Sequence, residues 1–270
     1  YMDSTVYLNG EQIFEWKYGY SSFTVDLTKH LRNGQNEIAV RCNYQCPNSR
    51  WYSGAGIYRN VWLRECGEYY LVEDGVYVHT GKTEKGYELT VSTEVGSNGE
   101  CIDKEKEKNI RIQHCLKWRA ENADFTYTIK EKETNILRNV IEWDFDHPVL
   151  YELETLLYVE EKLQDRQVCR IGFKDVILTP DKGAFLNGHP FKIHGVCEHH
   201  DLGALGAAVS ETAIRRRLRC LKEMGVNAVR GSHNMMAPEY LDVMDEMGFL
   251  FVSEGFDMWE RSKNPFDYAR

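Results

Sequence analysis

The chain has 270 residues, 42% of them hydrophobic and 12% aromatic, which is enough for one large domain or two domains with a sizeable core. It carries 33 lysine and arginine residues against 42 aspartate and glutamate residues, and this net charge of −9 argues against nucleic acid or an anionic membrane surface as the main partner. A neutral small molecule fits this charge better and is the expected partner. No apolar run approaches the roughly 18 to 20 residues of a membrane helix, and no signal-peptide pattern follows Tyr1.

Residues 1–66 are predicted to form strands and turns of a β-sandwich. The run Val6–Leu8 leads into Asn9-Gly10, the strongest short signal for a β-hairpin, and then into Ile13 and Phe14. Two further stretches alternate apolar with polar side chains, which predicts strands with one buried face: Phe23, Val25 and Leu27, and then Ile38, Val40 and Cys42.

The segment Arg50–Leu63 concentrates aromatic residues around glycine and alanine. Its rings are those of Trp51, Tyr52, Tyr58 and Trp62. Exposed aromatic rings beside glycine are common where sugar rings stack, so the segment is a candidate sugar-binding loop. On these residues alone, the core and edge of a sandwich explain the same rings, and both interpretations stay open.

Residues 67–178 are predicted to form a second β domain. Apolar residues alternate strictly through Tyr87–Val95, and the same period returns in Ile110–His114 and in Leu153–Val159. The charged run Asp103–Lys108 is predicted to be a solvated hairpin loop. Strands at this spacing favour an immunoglobulin-like β-sandwich.

Residues 179–270 show a different, repeating pattern. Three short apolar runs each end in His, Arg, Glu or Asp: Phe191–Cys197, Ala228–Arg230 and Phe249–Ser253. Amphipathic stretches separate them, one bounded by Ser210 as N-cap and Gly225, the other by Pro238 and Gly248. Repeated strand and helix units with reactive side chains at the carboxyl ends of the strands predict part of a parallel (β/α) barrel, whose active site lies at that end. A closed barrel needs eight such units, and this chain is predicted to hold only the first three.

Several short motifs follow one another in a fixed order between residues 180 and 260. They are Asn187-Gly188-x-Pro190, Lys192–Val196, His199, Arg230-x-Ser232-His233 and a strand ending at Glu254. In this order they resemble the opening of the catalytic barrel in glycoside hydrolase family 2, which includes β-galactosidases, β-glucuronidases and β-mannosidases. The segment Arg50–Leu63 is similar to the later half of the family's N-terminal jelly roll, and Arg170–Phe173 to the link into its barrel.

The resemblance implies a multidomain fold. Residues 1–66 would be the C-terminal part of a sugar-binding jelly-roll β-sandwich, residues 67–178 an immunoglobulin-like β-sandwich, and residues 179–270 the first three units of a (β/α)8 TIM barrel. In the family's galactosidases and glucuronidases, the jelly-roll loop supplies an aspartate that contacts the sugar. Arg50 stands at that position here, so this contact is not carried over and the sugar specificity stays open.

The resemblance also implies roles for nine side chains. Substrate-binding roles fall to His199, Arg230, His233, Asp257 and Trp259, and supporting roles behind them to Arg50, His200, Asp201 and Glu254. Imidazole suits contact with sugar hydroxyls because the ring donates and accepts hydrogen bonds at once. An arginine near a carboxylate keeps the carboxylate ionised, as a glycosidase nucleophile requires.

The same resemblance predicts hydrolysis of terminal, non-reducing β-linked sugars with retention, with β-galactosides as the first expectation. A retaining enzyme needs two carboxyl groups about 5 to 5.5 Å apart. The family takes both as glutamates from its fourth and seventh barrel strands, so both are expected beyond Arg270 and this chain alone is expected to be inactive. No cofactor is expected, although the resemblance allows Mg²⁺ or Na⁺, and it also allows a homo-oligomer.

Two alternatives come from other classes. One is a non-catalytic carbohydrate-binding or remnant protein, which an Asn-Glu pair on a fourth strand of a longer polypeptide would exclude. The other is metal-dependent hydrolysis with a ligand set drawn from His194, His199, His200, Asp201 and His233. It is disfavoured because no His-x-His pair is present and the two upstream β domains would go unexplained.

The eight cysteines are scattered without the paired spacing of a disulfide framework. They predict free thiols in a reducing, cytoplasmic location. Cys42 and Cys46 lie close in sequence, but no second pair completes a zinc site. Because three barrel units leave strand edges and an apolar helix face uncovered, the chain alone is expected to aggregate or to need a partner.

Overall fold

A computed structural model describes residues 1–50, 54–98, 109–120, 123–255 and 257–268. It divides into two compact units. The first comprises Tyr1–Val61, Ile193–Asp245 and Phe249–Arg270, and the second comprises Trp62–Lys192 and Glu246–Gly248. The domain boundaries at 66/67 and 178/179 stay predictions. No helix in the described part of the chain is long and apolar enough to cross a bilayer.

The first unit opens with an antiparallel sheet of three strands. These are β1 (Ser4–Leu8), β2 (Glu11–Trp16) and β3 (Ile38–Cys42), in the order β2-β1-β3. Asn9 and Gly10 join β1 to β2 with φ angles of 53° and 84°. Two successive left-handed residues are the conformation that an Asn-Gly hairpin turn supplies, so the predicted hairpin is confirmed.

Two predictions for this sheet are wrong. The stretch from Phe23 to Leu27 forms no strand, because alternation sets which side chains share a face but does not supply a hydrogen-bonded neighbour. The Phe23 ring instead packs on Phe14, with 5.4 Å between ring centroids. Strand β3 forms as predicted, but Ile38 and Val40 are 51% and 37% exposed, since β3 lies at the edge of the sheet and gains cover from one neighbour only.

The second unit is a β-sandwich, as predicted. Its seven strands are β4 (Tyr69–Thr83), β5 (Gly86–Ser97), β6 (Ile110–Ala120), β7 (Ala123–Ile129), β8 (Thr134–Leu137), β9 (Tyr151–Val159) and β10 (Lys162–Ile171). They form two antiparallel sheets, in the orders β4-β5-β8 and β10-β9-β6-β7, and β8 is the shortest of the seven with four residues. A separate three-stranded sheet of β11 (Val176–Thr179), β12 (Gly183–Leu186) and β13 (His189–Phe191) follows.

The alternation in β5 marks the sandwich core correctly. Tyr87, Leu89 and Val91 are buried together with Leu116, Leu153 and Phe173. His114, which shares the period of Ile110 and Ile112, is fully buried as well. The predicted loop Asp103–Lys108 lies outside the described residues, as do Trp51 and Tyr52.

The remaining strands are parallel and belong to the first unit. They are β14 (Gly195–Glu198), β15 (Ala228–Gly231) and β16 (Leu250–Val252), in that order in the sheet. Helix α1 (Glu211–Glu223) joins β14 to β15, and helix α2 (Pro238–Met247) joins β15 to β16. Three consecutive barrel strands joined by two helices are therefore present, as expected for the start of a TIM barrel, and the described residues after β16 contain no third helix.

Local signals fix both helices. The hydroxyl of Ser210 accepts a hydrogen bond from the backbone N–H of Ala213 and caps α1, and Gly225 follows the helix with φ 84°. The buried stripes consist of Ile214 and Leu218 in α1, and of Tyr240, Val243 and Met244 in α2.

The first barrel strand differs from the prediction. The run Phe191–Cys197 does not form one strand, because His189–Phe191 turns back at Asn187-Gly188 and pairs with β12. The barrel strand β14 begins only at Gly195. The apolar run therefore covers parts of two strands, β13 and β14, that belong to different sheets.

Candidate active site

The carboxyl ends of the three parallel strands bring together three predicted side chains. Nδ1 of His233 lies 2.7 Å from Oε2 of Glu254, and Nε of Arg230 pairs with Oε1 of the same carboxylate. Burial acts to raise the pKa of Glu254, but the hydrogen bond from His233 and the charges of His233 and Arg230 outweigh it, so that the pKa is lowered. Glu254 is therefore held as a carboxylate.

A fourth predicted side chain, His199, follows β14 and lies next to this cluster. Its Nδ1 lies 2.8 Å from the carbonyl oxygen of Ser232, and its ring centroid is 6.2 Å from that of His233. A proton on Nδ1 donates to that carbonyl and leaves Nε2 of the neutral ring as an acceptor. The two histidines predicted to contact sugar are thus neighbours.

A cavity of about 640 Å³ lies beside the His233–Glu254 pair, in the size range of small-molecule sites. Its lining consists of Arg50, His233, Glu254, Asp257, Trp259, Glu260, Arg261 and Lys263. Five of the nine predicted site residues are in this list. Trp259 is 83% exposed and presents a large aromatic surface. Arg261 and Lys263 are lining residues that sequence reasoning missed, although they belong to a charged run directly after Trp259.

Asp257 lies in the wall of the cavity, and its carboxylate contacts two positively charged side chains. Its Oδ1 accepts a hydrogen bond from Nη1 of Arg50 at 2.8 Å and lies 3.4 Å from Nζ of Lys263. The Asp257 side chain is only 3% exposed, whereas that of Arg50 is 43% exposed. Direct contact between Asp257 and substrate stays a prediction, and its observed partners are the arginine of the loop after β3 and the lysine six residues further on.

Four of the nine predicted residues do not line the cavity. His199 and Arg230 lie beside the His233–Glu254 pair, as described above, and His200 and Asp201 have other partners. The ring of His200 is buried against Tyr20, 4.7 Å between centroids, and its Nε2 is 3.0 Å from the carbonyl oxygen of Asn234. Burial, together with the positive charge of Arg59, lowers the pKa of His200 to about 4. Asp201 accepts a hydrogen bond from Arg217 through its backbone carbonyl. The position of both residues fits support of the strand ends.

The described residues include no group of three or more His, Cys, Asp or Glu side chains arranged to hold a metal ion. His199 and His200 instead bond to backbone carbonyl oxygens, and His233 bonds to Glu254. The ligand set that metal-dependent hydrolysis would need is therefore not assembled in this part of the chain. Each of the seven cysteines that the structure describes is a free thiol, Cys42 and Cys46 included.

Two family models match the chain. Residues 74–174 match the model described as "Glycosyl hydrolases family 2", and residues 178–263 match "Glycosyl hydrolases family 2, TIM barrel domain". Together the matched segments take up more than half of the chain.

Individual relatives agree with the family models. The chain is 42% identical to the β-galactosidase BoGH2A of Bacteroides ovatus, over 100% of this chain and 33% of that protein. It is similar to the crystal structure of a β-glycosidase from Bacteroides vulgatus, with a TM-score of 0.86, 31% identity and coverage of 100% and 35%. It is also similar to a β-glucuronidase from Bacteroides uniformis, with a TM-score of 0.75, 25% identity and coverage of 93% and 32%. The chain thus spans about a third of the length of the proteins it matches.

Proposed function

The chain belongs to glycoside hydrolase family 2, and from this premise we propose that it is part of an enzyme that hydrolyses terminal, non-reducing β-linked sugars. β-Galactosides are the first proposed substrates, since the relative at 42% identity is named a β-galactosidase. The observation that carries the proposal is the Arg230–Glu254–His233 cluster at the carboxyl ends of the parallel strands, beside a cavity of about 640 Å³.

The proposed mechanism is retaining and uses two glutamates that this chain does not contain. One would protonate the leaving oxygen and the other would attack the anomeric carbon. The residues of this chain would bind and orient the sugar. His199 and His233 would bond to its hydroxyls, and Trp259 would stack on its apolar face. Arg230 would contribute positive charge that keeps nearby carboxylates ionised.

A carbohydrate-binding protein without catalysis is the second candidate. It is favoured by one observation, that the cavity presents the exposed ring of Trp259 beside polar and charged side chains, a combination suited to sugar binding.

The test compares the full-length protein that contains this chain with the chain alone. Aryl β-galactoside, β-glucuronide and β-mannoside would be assayed, and the anomer formed first would be identified by proton NMR. We expect the full-length protein to prefer the galactoside and to release the β-anomer, and the chain alone to show no turnover. A full-length protein that binds galactose but cleaves none of the three glycosides would support the second candidate, and turnover by the chain alone would contradict the proposed location of the glutamates.

A further inference from the structure

Tyr18, which follows β2, touches the loops on both sides of the site. Its hydroxyl lies 2.8 Å from Oδ1 of Asn234 and 2.9 Å from the carbonyl oxygen of Gly255. Asn234 directly follows His233, and Gly255 directly follows Glu254. Both partners are acceptors, so the single O–H hydrogen of Tyr18 is shared between them, and one phenol connects the residues next to the two members of the His233–Glu254 pair.

The hydroxyl works in a dry environment. Tyr18 is 8% exposed, Asn234 is 1% exposed, and the Tyr18 ring packs edge-on against Tyr268 with 4.7 Å between centroids. Burial raises the pKa of Tyr18 well above its ordinary value, so the group stays a neutral donor. In such surroundings, an acceptor that loses its donor is not compensated by water.

The loop that carries His233 is also held by other hydrogen bonds. The backbone N–H of Ser232 donates to the carbonyl oxygen of Glu198 at 2.9 Å, and three side chains bond to backbone carbonyl oxygens of the loop. Nδ1 of His199 lies 2.8 Å from the carbonyl oxygen of Ser232, and Nε2 of His200 lies 3.0 Å from that of Asn234. Nη2 of Arg59 donates to the carbonyl oxygen of Met235 at 3.0 Å. Arg59 also donates to the carbonyl oxygen of Tyr20 at 2.6 Å. Two of the side chains that bond to this loop, Tyr18 and Arg59, therefore come from the segment around the three-stranded sheet.

We infer that Tyr18 is a positioning residue of the site, whose hydroxyl fixes the spacing of the loops after β15 and β16 and so holds His233 against Glu254. Neither the strands nor the helices of the barrel make this link, because it joins two loop residues through a side chain more than 200 positions away in the sequence. The inference rests on the proposed function where the test measures catalytic activity.

The test uses the Tyr18→Phe variant of the full-length protein, in which the ring is kept and only the hydroxyl is lost. A displacement of about 1 Å near reacting groups costs up to roughly 100-fold in rate, so we expect kcat/KM to fall by about tenfold or more. The matched control is Tyr77→Phe, since Tyr77 is 75% exposed, and it should leave kcat/KM unchanged.

A double-mutant cycle with Glu254→Gln separates positioning from plain loss of stability. If Tyr18 acts through the His233–Glu254 pair, Tyr18→Phe should lower kcat/KM little further in a protein that already carries Glu254→Gln. The effects of the two substitutions on kcat/KM are then strongly non-additive. Additive effects on kcat/KM would overturn the inference. If Tyr18→Phe does not fold, Asn234→Ala removes one half of the same link and should show the same non-additivity.

A second readout needs no catalysis. The ring nitrogen resonances of His233, assigned with a His233→Gln variant, should shift in Tyr18→Phe and stay in place in Tyr77→Phe. Unchanged His233 resonances in Tyr18→Phe would refute the inference even in a protein that cleaves no glycoside. A wild-type protein without hydrolysis, but with the expected NMR shift, would refute the proposed function alone.

Discussion

Two of the histidine–glutamate pairs in the described part of the chain have nearly equal lengths but very different surroundings. In the sandwich, Nε2 of His114 lies 2.6 Å from Oε2 of Glu131, and in the barrel part Nδ1 of His233 lies 2.7 Å from Oε2 of Glu254. The side chains of His114 and Glu131 are 0% and 19% exposed, whereas those of His233 and Glu254 are 22% and 23% exposed, so the difference lies in the histidine. The pairs therefore differ in what surrounds them rather than in their own geometry.

The sandwich pair is completed by other groups of the sandwich. Nδ1 of His114 lies 3.0 Å from the hydroxyl of Thr155, and Glu131 accepts hydrogen bonds from the backbone and hydroxyl of Thr93 at 2.9 and 3.1 Å. The barrel pair instead has Arg230 as its additional partner and lies in the wall of a cavity. A pair whose histidine is fully buried and whose members have further protein partners serves the fold, and a pair in a cavity wall is suited to a ligand.

The largest effect that follows from this contrast is on the stability of the sandwich. Replacement of Glu131 by alanine would leave His114 and Thr93 with buried, unpaired polar atoms. Each buried polar group that loses its partner costs about 1 to 3 kcal/mol, so we expect the free energy of unfolding to fall by about 2 to 4 kcal/mol in a urea titration.

A nearby glutamate provides the control. Glu133 is 61% exposed and pairs with Lys130 at 3.2 Å on the surface, so Glu133→Ala should change the free energy of unfolding by less than about 1 kcal/mol. Equal effects of the two substitutions would mean that the His114 network contributes no more than a surface pair.

A third histidine sharpens the comparison, because His200 is buried like His114 but has a backbone carbonyl as partner instead of a carboxylate. Its pKa is lowered from 6.5 to about 4, so the unfolded chain binds a proton more readily than the folded chain does. Stability from this group is complete above pH 6.5 and is lost as the pH falls from 6.5 to 4. The shift corresponds to about 3 kcal/mol.

The measurement is a series of urea titrations between pH 7 and pH 4, repeated on His200→Gln. We expect the variant to lose a large part of the acid sensitivity of the parent. The matched variant His147→Gln, whose side chain is 79% exposed in the parent, should keep the parent's pH dependence. The same pH profile for the parent and His200→Gln would show that His200 does not contribute to the acid sensitivity.

Sequence signals found the elements whose causes are local. The Asn9-Gly10 turn, the Ser210 cap and the glycine after α1 each act within a few residues, and all three were predicted. The prediction of a strand from Phe23 to Leu27 was wrong because a strand also needs a hydrogen-bonded neighbour, which alternation does not reveal. The prediction of one strand over Phe191–Cys197 was wrong because its first residue, Phe191, pairs with β12 across a hairpin.

The site follows the same division. Arg230, His233 and Glu254 were predicted together because parallel strands present their carboxyl ends at one edge of a sheet. The link from Arg50 to Asp257 spans 207 positions, and the link from Tyr18 to Asn234 spans 216. No periodicity or short motif encodes a pairing over that distance, so the partner of Arg50 and the role of Tyr18 became visible only in the folded chain.

The smallest effect on stability is expected at the barrel pair, and it completes the contrast with Glu131. Glu254→Gln keeps the size of the side chain and removes its charge at a site where water reaches both partners. We expect the free energy of unfolding to change by less than about 1 kcal/mol, since partly exposed ion pairs contribute little. Galactose binding to the full-length protein, followed by calorimetry, should weaken in the same variant. A loss of stability as large as that of Glu131→Ala, with unchanged galactose binding, would mean that both pairs serve the fold and that the cavity wall is not built for a ligand.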